Sequence, residues 1–188
     1  MPTKNDVRLM LRQHRHRVDE RNAQSAELCS HVLAWEPYRR AQVVAAYAAL
    51  PWEADVTSVI RDALACGKRV ALPLVGEAGA MTFRLVSSME ELRQGSYGIA
   101  EPSIEAPLVT PEDIDLMLVP LEAVDRTGMR LGKGGGYYDR VLPRTEAIRL
   151  GVALTWQWVD TLPAQPWDVP LDAAVSAQGI TVFPRPAQ

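Results

Sequence analysis

The chain has 188 residues, of which 47% are hydrophobic and 23% are charged, and its formal net charge is −3. This composition predicts one ordinary globular domain over residues 1–188, and the negative balance argues against bulk electrostatic binding of nucleic acid. Cys29 and Cys66 form neither a CxxC pair nor a disulfide framework, which favours a reducing compartment.

The N-terminus is charged from its fourth residue and lacks the apolar stretch of a signal peptide, and no apolar run approaches the ~20 residues of a membrane span. We therefore expect a cytoplasmic protein that has neither a membrane nor a nucleic acid as its partner. His14, His16 and His31 all lie near the N-terminus, form no zinc pattern and are poorly situated for a serine or cysteine triad.

Helices and strands are predicted to alternate along the chain. Apolar residues at helical spacing predict helices over residues 4–20, 24–34, 56–66 and 136–143. Continuous apolar runs predict buried strands over residues 42–50, 69–75, 114–125 and 147–154, with an edge strand after residue 75 and two short closing strands in DAAVSAQGITVF. This alternation predicts an α/β fold, a three-layer sandwich in which a mostly parallel central sheet carries helices on both faces.

The segment RLGKGGGYYDR, residues 130–140, follows the most apolar predicted strand, and ligands bind beyond the carboxyl ends of such strands. Glycines there let backbone N–H groups converge on an anion, and Arg130 and Lys133 add full positive charges. The spacing is that of neither a P-loop nor a dinucleotide-binding fingerprint. The pattern therefore favours an anion site, and the alternative is a flexible surface loop with scattered basic residues.

Two features after the glycines are open to two interpretations each. Asp139 lies one or two residues into the predicted helix, where it could stabilise the helix start or hold Mg²⁺ beside a polyphosphate. Tyr137 and Tyr138 could belong to the core or could flank a flat ligand.

The glycine-rich segment and the strand before it closely resemble the signature of the 5-formyltetrahydrofolate cyclo-ligase family. The segments are RLGKGGGYYDRVL and, before it, VPLEAVDRTG. Four further segments resemble that family in the same order, namely KNDVR, LPWEAD, GSYGIAEP and LPAQPWDVPLDAAVSAQG. The chain differs at Ser176, where threonine is common, and at Gly135, where some members carry a lysine. The resemblance spans nearly the whole chain.

The resemblance implies site residues for ATP, folate and metal. ATP would bind to Lys4, Arg8, Arg130, Leu131, Gly132, Lys133, Gly134, Gly135, Gly136, Tyr137 and Tyr138. The residues implied in catalysis, through stabilisation of the transferring phosphoryl group, are Arg130 and Lys133. The folate substrate would contact Ala48, Glu53, Tyr97 and Tyr137. The residues implied as Mg²⁺ ligands are Asp139 and Asp172, with Asp168 as an alternative to Asp172.

Several of these residues have simpler interpretations when they are taken without the family. Lys4 and Arg8 would lie on one helix face, and such a pair is usually a solvated basic surface. Glu53 could cap the helix that follows it, and Asp172 could be a turn or strand-start residue.

The activity that the resemblance implies is the Mg²⁺- and ATP-dependent conversion of 5-formyltetrahydrofolate to 5,10-methenyltetrahydrofolate, with release of ADP and phosphate. We expect a monomer that acts on these small molecules. The rival interpretations are a non-catalytic folate- or nucleotide-binding relative and a phosphosugar isomerase or transferase on a similar sheet.

Overall fold

The polypeptide alternates short helices with strands that build one large sheet, and the computed structural model describes residues 2–15, 17–76, 80–95 and 98–184. In these ranges the helices are α1 (Lys4–Arg12), α2 (Val18–Ala34), α3 (Glu36–Arg40), α4 (Thr57–Ala65) and α5 (Tyr137–Val141). The strands are β1 (Val43–Ala45), β2 (Arg69–Val75), β3 (Met81–Val86), β4 (Arg93–Gln94), β5 (Ala100–Glu101), β6 (Leu108–Val109), β7 (Leu116–Pro120), β8 (Ala123–Asp125), β9 (Arg130–Leu131), β10 (Ile148–Val152), β11 (Trp158–Val159), β12 (Ala173–Ser176) and β13 (Gly179–Val182).

The large sheet has the strand order β13-β12-β10-β7-β1-β2-β3-β6. The five consecutive strands from β12 to β2 pair in parallel, and β13, β3 and β6 add antiparallel edges. Parallel strands are covered on both faces, which explains why their sequences are continuous apolar runs.

Side chains of alternating residues along the central strand β7 pack on opposite faces of the sheet. Leu116 and Leu118 join the core under α2 and α4, where Leu28 and Ile60 are fully buried. Each such side chain contributes roughly 1.5–3 kcal/mol by its burial. Met117, the next residue along the strand, packs on the other face.

That second face is covered by the short helix α5, the turn after it, and a three-stranded sheet of order β11-β8-β9. Val141 and Leu142 supply the helical part of this core, and Val124 supplies the small sheet. The predicted three-layer α/β sandwich with a mostly parallel central sheet is therefore confirmed.

Four predicted elements differ from the structure. The predicted helix over residues 24–34 already begins at residue 18, as α2. The predicted helix over residues 4–20 ends at Arg12, because α1 buries Val7 and Leu11 against the small sheet while α2 packs on the large one. The predicted strand over 42–50 forms a ladder only over Val43–Ala45. The predicted strand over 114–125 divides after Pro120 into β7 and β8, which belong to different sheets.

The division after Pro120 determines where the glycine segment lies. Residues 132–136 follow β9 of the small sheet rather than a strand of the large one, and they still reach the edge at which β1, β2 and β7 end. Within the described parts of the chain, no helix combines the length and the apolar character that a bilayer crossing needs.

Candidate functional site

A cavity of about 610 Å³ opens where β1, β2 and β7 reach their carboxyl ends. Its apolar walls come largely from Leu50, Trp52, Pro73, Val75, Met81 and Ile99. The glycine segment forms another side and brings charged groups into the same space. A largely apolar cleft of this volume with a few polar groups is typical of a small-molecule site.

Arg130 is a buried cation at the base of this cavity, with its side chain 4% exposed. Its Nη2 donates to Asp139 Oδ1, its Nη1 donates to the Pro120 carbonyl at 3.4 Å, and its guanidinium lies 5.7 Å from the centre of the Tyr138 ring. Burial lowers the pKa of Arg130 and the Asp139 carboxylate opposes that shift. A guanidinium held by this many contacts has a fixed orientation toward a ligand.

Lys133 and Glu53 form an ion pair between Nζ and Oε1, although they are 80 residues apart. The Glu53 side chain is 6% exposed and the Lys133 side chain 37% exposed, so the pair spans the boundary of the cavity. Glu53 Oε2 accepts the Leu50 N–H at 2.9 Å. The alternative that Glu53 caps the following helix is wrong, since Asp55 accepts the Thr57 N–H at that helix start.

Helix α1 forms a hydrogen bond with the backbone of the glycine segment. A capping box between Thr3 and Asp6 starts the helix, and Arg8 Nε donates to the Gly132 carbonyl at 2.9 Å. Lys4 Nζ donates to Asp168 Oδ2 at 2.6 Å. The two basic residues are therefore engaged with the site's own elements, and the alternative of a solvated basic face is wrong.

Backbone conformation explains part of the glycine content. Gly134 and Gly136 have φ of +105° and +66°, in the left-handed region that side chains disfavour. Gly136 is the N-cap of α5, which has only five residues, so the dipole of a long helix is not available here. Arg140 Nη2 donates to the Gly135 carbonyl at 3.1 Å and helps to hold the turn.

Of the two tyrosines that follow the glycines, Tyr137 lies beneath the Arg140 guanidinium, 5.5 Å from ring centre to carbon. Burial raises the pKa of Tyr138, and the charge of Glu53 raises it further. Both rings line the cavity, as does Ala48. Tyr138 also packs against the core on this face of the sheet, so the core alternative holds for that ring, and a role in flanking a ligand stays a prediction.

Asp139 and Asp172 were expected to share a metal ion, and the structure does not bring them together. Asp139 lines the cavity with its side chain 43% exposed. Asp172 precedes β12 and accepts the Arg149 N–H at 2.9 Å and two guanidinium bonds at 2.8 and 2.9 Å. Arg149 pairs with Met117, three residues before Pro120, so Asp172 lies about 10 Å below the cavity end of the sheet. Asp172 is thus a strand-start residue bound to Arg149, and its metal role stays a prediction that this location does not favour.

Asp168, the alternative carboxylate, lies near Arg130, which lines the cavity. Its side chain is 10% exposed, Lys4 holds it, and its charge acts on Arg130. Within the described ranges, no three His, Cys, Asp or Glu side chains gather as a metal centre.

The remaining predicted residues are Leu131 and Tyr97. The side chain of Leu131 is 1% exposed and packs with Val7 and Leu11, so only its backbone is available to a ligand. Tyr97 lies outside the described residues.

Sequence reasoning missed an aromatic wall residue that is adjacent to Glu53. Trp52 lines the cavity, and the Arg15 guanidinium lies 4.6 Å from its ring centre. Arg15 Nη2 also donates to the buried Glu122 carboxylate at 2.9 Å. Trp52 belongs to the LPWEAD segment, which the sequence identified. Its contact with Arg15 joins distant parts of the chain, and the sequence did not predict it.

The chain resembles characterised proteins over most of its length. The model of the 5-formyltetrahydrofolate cyclo-ligase family matches residues 1–177. The 5-formyltetrahydrofolate cyclo-ligase of Escherichia coli is 31% identical over 175 residues, which cover 89% of this chain and 96% of that protein. The Haemophilus influenzae protein of the same name is 32% identical over 147 residues, covering 75% and 79%.

Solved structures agree with these sequence matches. The NMR structure of Aquifex aeolicus 5,10-methenyltetrahydrofolate synthetase has a TM-score of 0.86 and 32% identity, with 98% of this chain and 95% of that chain covered. A 5,10-methenyltetrahydrofolate synthetase from Mycoplasma pneumoniae has a TM-score of 0.75 and 25% identity, covering 93% and 98%.

Proposed function

Because the chain belongs to the 5-formyltetrahydrofolate cyclo-ligase family, we propose that it converts 5-formyltetrahydrofolate and ATP to 5,10-methenyltetrahydrofolate, ADP and phosphate. It is accordingly an enzyme of the ligase class. The observation that carries the proposal is the Lys133–Glu53 ion pair, which joins a glycine-rich, basic segment suited to phosphates to a largely apolar slot suited to a flat ring.

The reaction has a difficulty that ATP can solve. The formyl group on N5 is amide-like, so its carbon is a poor electrophile. Transfer of the γ-phosphoryl group to the formyl oxygen breaks the bond from ADP to that phosphorus and makes an imidate-like phosphate. N10 then attacks the activated carbon and loses its proton, the carbon–oxygen bond breaks, and phosphate leaves with the former formyl oxygen.

Such a reaction requires positioning and charge stabilisation rather than a nucleophilic side chain. Arg130 suits this task, because its guanidinium is permanently charged, buried and held in orientation by Asp139. Lys133 supplies a second charge at the cavity mouth and can leave Glu53 for phosphate oxygens. Helix α1 supports both residues indirectly, since Arg8 holds the Gly132 carbonyl.

Glu53 and Tyr137 are the proposed folate contacts near the reacting end. A buried carboxylate accepts hydrogen bonds from ring N–H donors, and an aromatic ring stacks on a flat ligand. Trp52, held by Arg15, adds a second aromatic surface to the same cavity. These assignments explain why the slot is apolar and yet contains ionised groups.

The carboxylates near the cavity, those of Asp139 and Asp168, are suitable ligands for Mg²⁺. Mg²⁺ takes one or two carboxylates together with phosphate oxygens and waters. Asp139 is a partly exposed carboxylate of this kind, and Asp168 is the second candidate because Lys4 holds it on the same side as Arg130. When bound, the ion would neutralise charge on the phosphates.

The test is an absorbance assay for 5,10-methenyltetrahydrofolate with purified protein, 5-formyltetrahydrofolate, ATP and Mg²⁺. We expect product only when all are present. Product in the absence of ATP would contradict the phosphorylation route. Binding of both ligands without product would instead identify a non-catalytic relative.

A further inference from the structure

Trp52 is an aromatic wall residue of the cavity to which the resemblance gives no task. It lines the cavity and precedes Glu53 in the chain, but it is half-buried, whereas the Glu53 side chain is 6% exposed. The turn over residues 51–53 therefore places the carboxylate deep in the cavity and the indole nearer its mouth. A large aromatic side chain in a cavity wall offers a flat apolar surface to a ligand.

A cation holds the indole ring from one side. The Arg15 guanidinium lies 4.6 Å from the centre of the ring, within the range of a cation–π interaction. Within the described ranges the buried indole N–H has no hydrogen-bond partner, so the orientation of the ring depends on packing and on Arg15. Of the described residues, Trp52 lines the cavity and Arg15 does not. The part of the ring that is turned away from Arg15 therefore faces the space for a ligand.

Arg15 is in turn held by the small sheet. Its Nη2 donates to Glu122 Oε1 at 2.9 Å, and the Glu122 side chain is 8% exposed. The Glu122 N–H donates to the carbonyl of Leu131, which follows Arg130 in β9, at 2.8 Å. The small sheet thus positions Arg130 directly and the indole of Trp52 through Glu122 and Arg15.

The folate substrate has a second flat ring that fits this location. In the proposed function the pterin ring lies beside Glu53, deep in the cavity, and a single methylene group joins it to the nitrogen N10 of the p-aminobenzoyl ring. Since the pterin takes the deep end, the p-aminobenzoyl ring extends toward the mouth, along the wall that Trp52 forms. The cavity of about 610 Å³ has the volume of sites for drug-sized ligands, which leaves room for both rings.

We propose that Trp52 stacks on the p-aminobenzoyl ring of the substrate and that Arg15 holds the indole for this contact. This inference rests on the proposed function, because it takes the pterin ring to lie beside Glu53. The p-aminobenzoyl ring carries N10, the atom that attacks the activated formyl carbon. A ring held by Trp52 keeps N10 within reach of that carbon, and small misplacements of a reacting atom lower rates strongly. Trp52 is then a substrate-positioning residue, and Arg15 acts through it.

The experiment measures steady-state kinetics and equilibrium binding for the wild type, Trp52→Ala, Trp52→Phe and Arg15→Gln. The ligands are 5-formyltetrahydrofolate, ATP and 5-formyl-6-methyltetrahydropterin, which keeps the pterin ring but lacks the p-aminobenzoyl ring. The control is Trp35→Phe, at a half-buried tryptophan that packs against the core under α2 and α4. Thermal melting of each variant monitors folding.

Trp52→Ala should weaken the binding of 5-formyltetrahydrofolate and lower kcat, each by about tenfold or more, because the ring that carries N10 loses its support. The same variant should bind ATP and the truncated pterin within about twofold of the wild type, since neither ligand reaches the indole. Trp52→Phe keeps an aromatic ring and should restore most of kcat. Arg15→Gln should lower kcat by about threefold or more without changing the Kd of the truncated pterin, and Trp35→Phe should match the wild type.

Two results would overturn the inference. One is a Trp52→Ala protein that binds 5-formyltetrahydrofolate as tightly as the wild type. The other is a Trp52→Ala protein that loses the same factor for the truncated pterin, since the indole would then contact the pterin ring instead. Should that variant not fold, a wild-type kcat in folded Arg15→Gln would overturn it. A wild type that binds neither folate ligand would fail the proposed function itself, which is a separate outcome.

Discussion

The Lys133–Glu53 ion pair makes a quantitative prediction about stability, through the variant Lys133→Met. The methionine retains much of the length and apolar stem of lysine but removes its charge, so among the described residues Glu53 loses its ion-pair partner and keeps the Leu50 N–H. Breaking a fully buried ion pair costs about 3–5 kcal/mol. The Lys133 side chain is 37% exposed, and solvent screening reduces that figure. We expect the free energy of unfolding to fall by about 1–3 kcal/mol.

The assay is urea unfolding followed by circular dichroism, carried out as a double-mutant cycle. Glu53→Gln alone should cost less than Lys133→Met, because the freed ammonium group can turn toward water while the freed carboxylate cannot. The double variant should be more stable than the sum of the single effects predicts, by about 1 kcal/mol or more. Strict additivity within about 0.3 kcal/mol would refute the argument that the two side chains act as a pair.

Three further predictions concern the metal, the phosphoryl group and the buried phenols. Asp139→Asn should lower turnover by about 100-fold or more at any Mg²⁺ concentration, whereas Asp172→Asn should leave the Mg²⁺ midpoint unchanged and lower the melting temperature, because it weakens the contacts with Arg149 at the strand start. Arg130→Lys should reduce kcat by roughly 10³-fold at saturating ATP while the folate KM stays within about threefold, and near-normal kcat would exclude a phosphoryl contact. Burial raises the pKa of Tyr38, Tyr47 and Tyr138, so the native protein at about pH 10 should show tyrosinate absorbance from no more than two of its five tyrosines, and the stability that these phenols contribute below their unfolded pKa is lost as the pH rises above it.

The sequence predicted most accurately those elements whose formation depends on the pattern of neighbouring residues. The strand over 69–75 was located to the residue, because both of its faces are buried and its sequence is continuously apolar. The glycine segment was correctly expected at the carboxyl ends of the strands, although the chain reaches that edge through a small second sheet.

Contacts between distant segments were beyond sequence reasoning. Asp172 and Asp168 are four residues apart, and nothing local indicates that the first faces Arg149 at the lower end of the sheet while the second is held by Lys4 near the cavity.

The central claim is that this enzyme activates the formyl oxygen by phosphorylation, and an isotope experiment tests it most directly. The substrate is 5-formyltetrahydrofolate labelled with oxygen-18 in the formyl group, incubated with the purified protein, Mg²⁺ and unlabelled ATP. Mass spectrometry of the released inorganic phosphate should find one labelled oxygen for each molecule of 5,10-methenyltetrahydrofolate formed. Unlabelled phosphate, with the label released in water, would contradict the phosphorylated intermediate and the assignment of Arg130 and Lys133 to its formation.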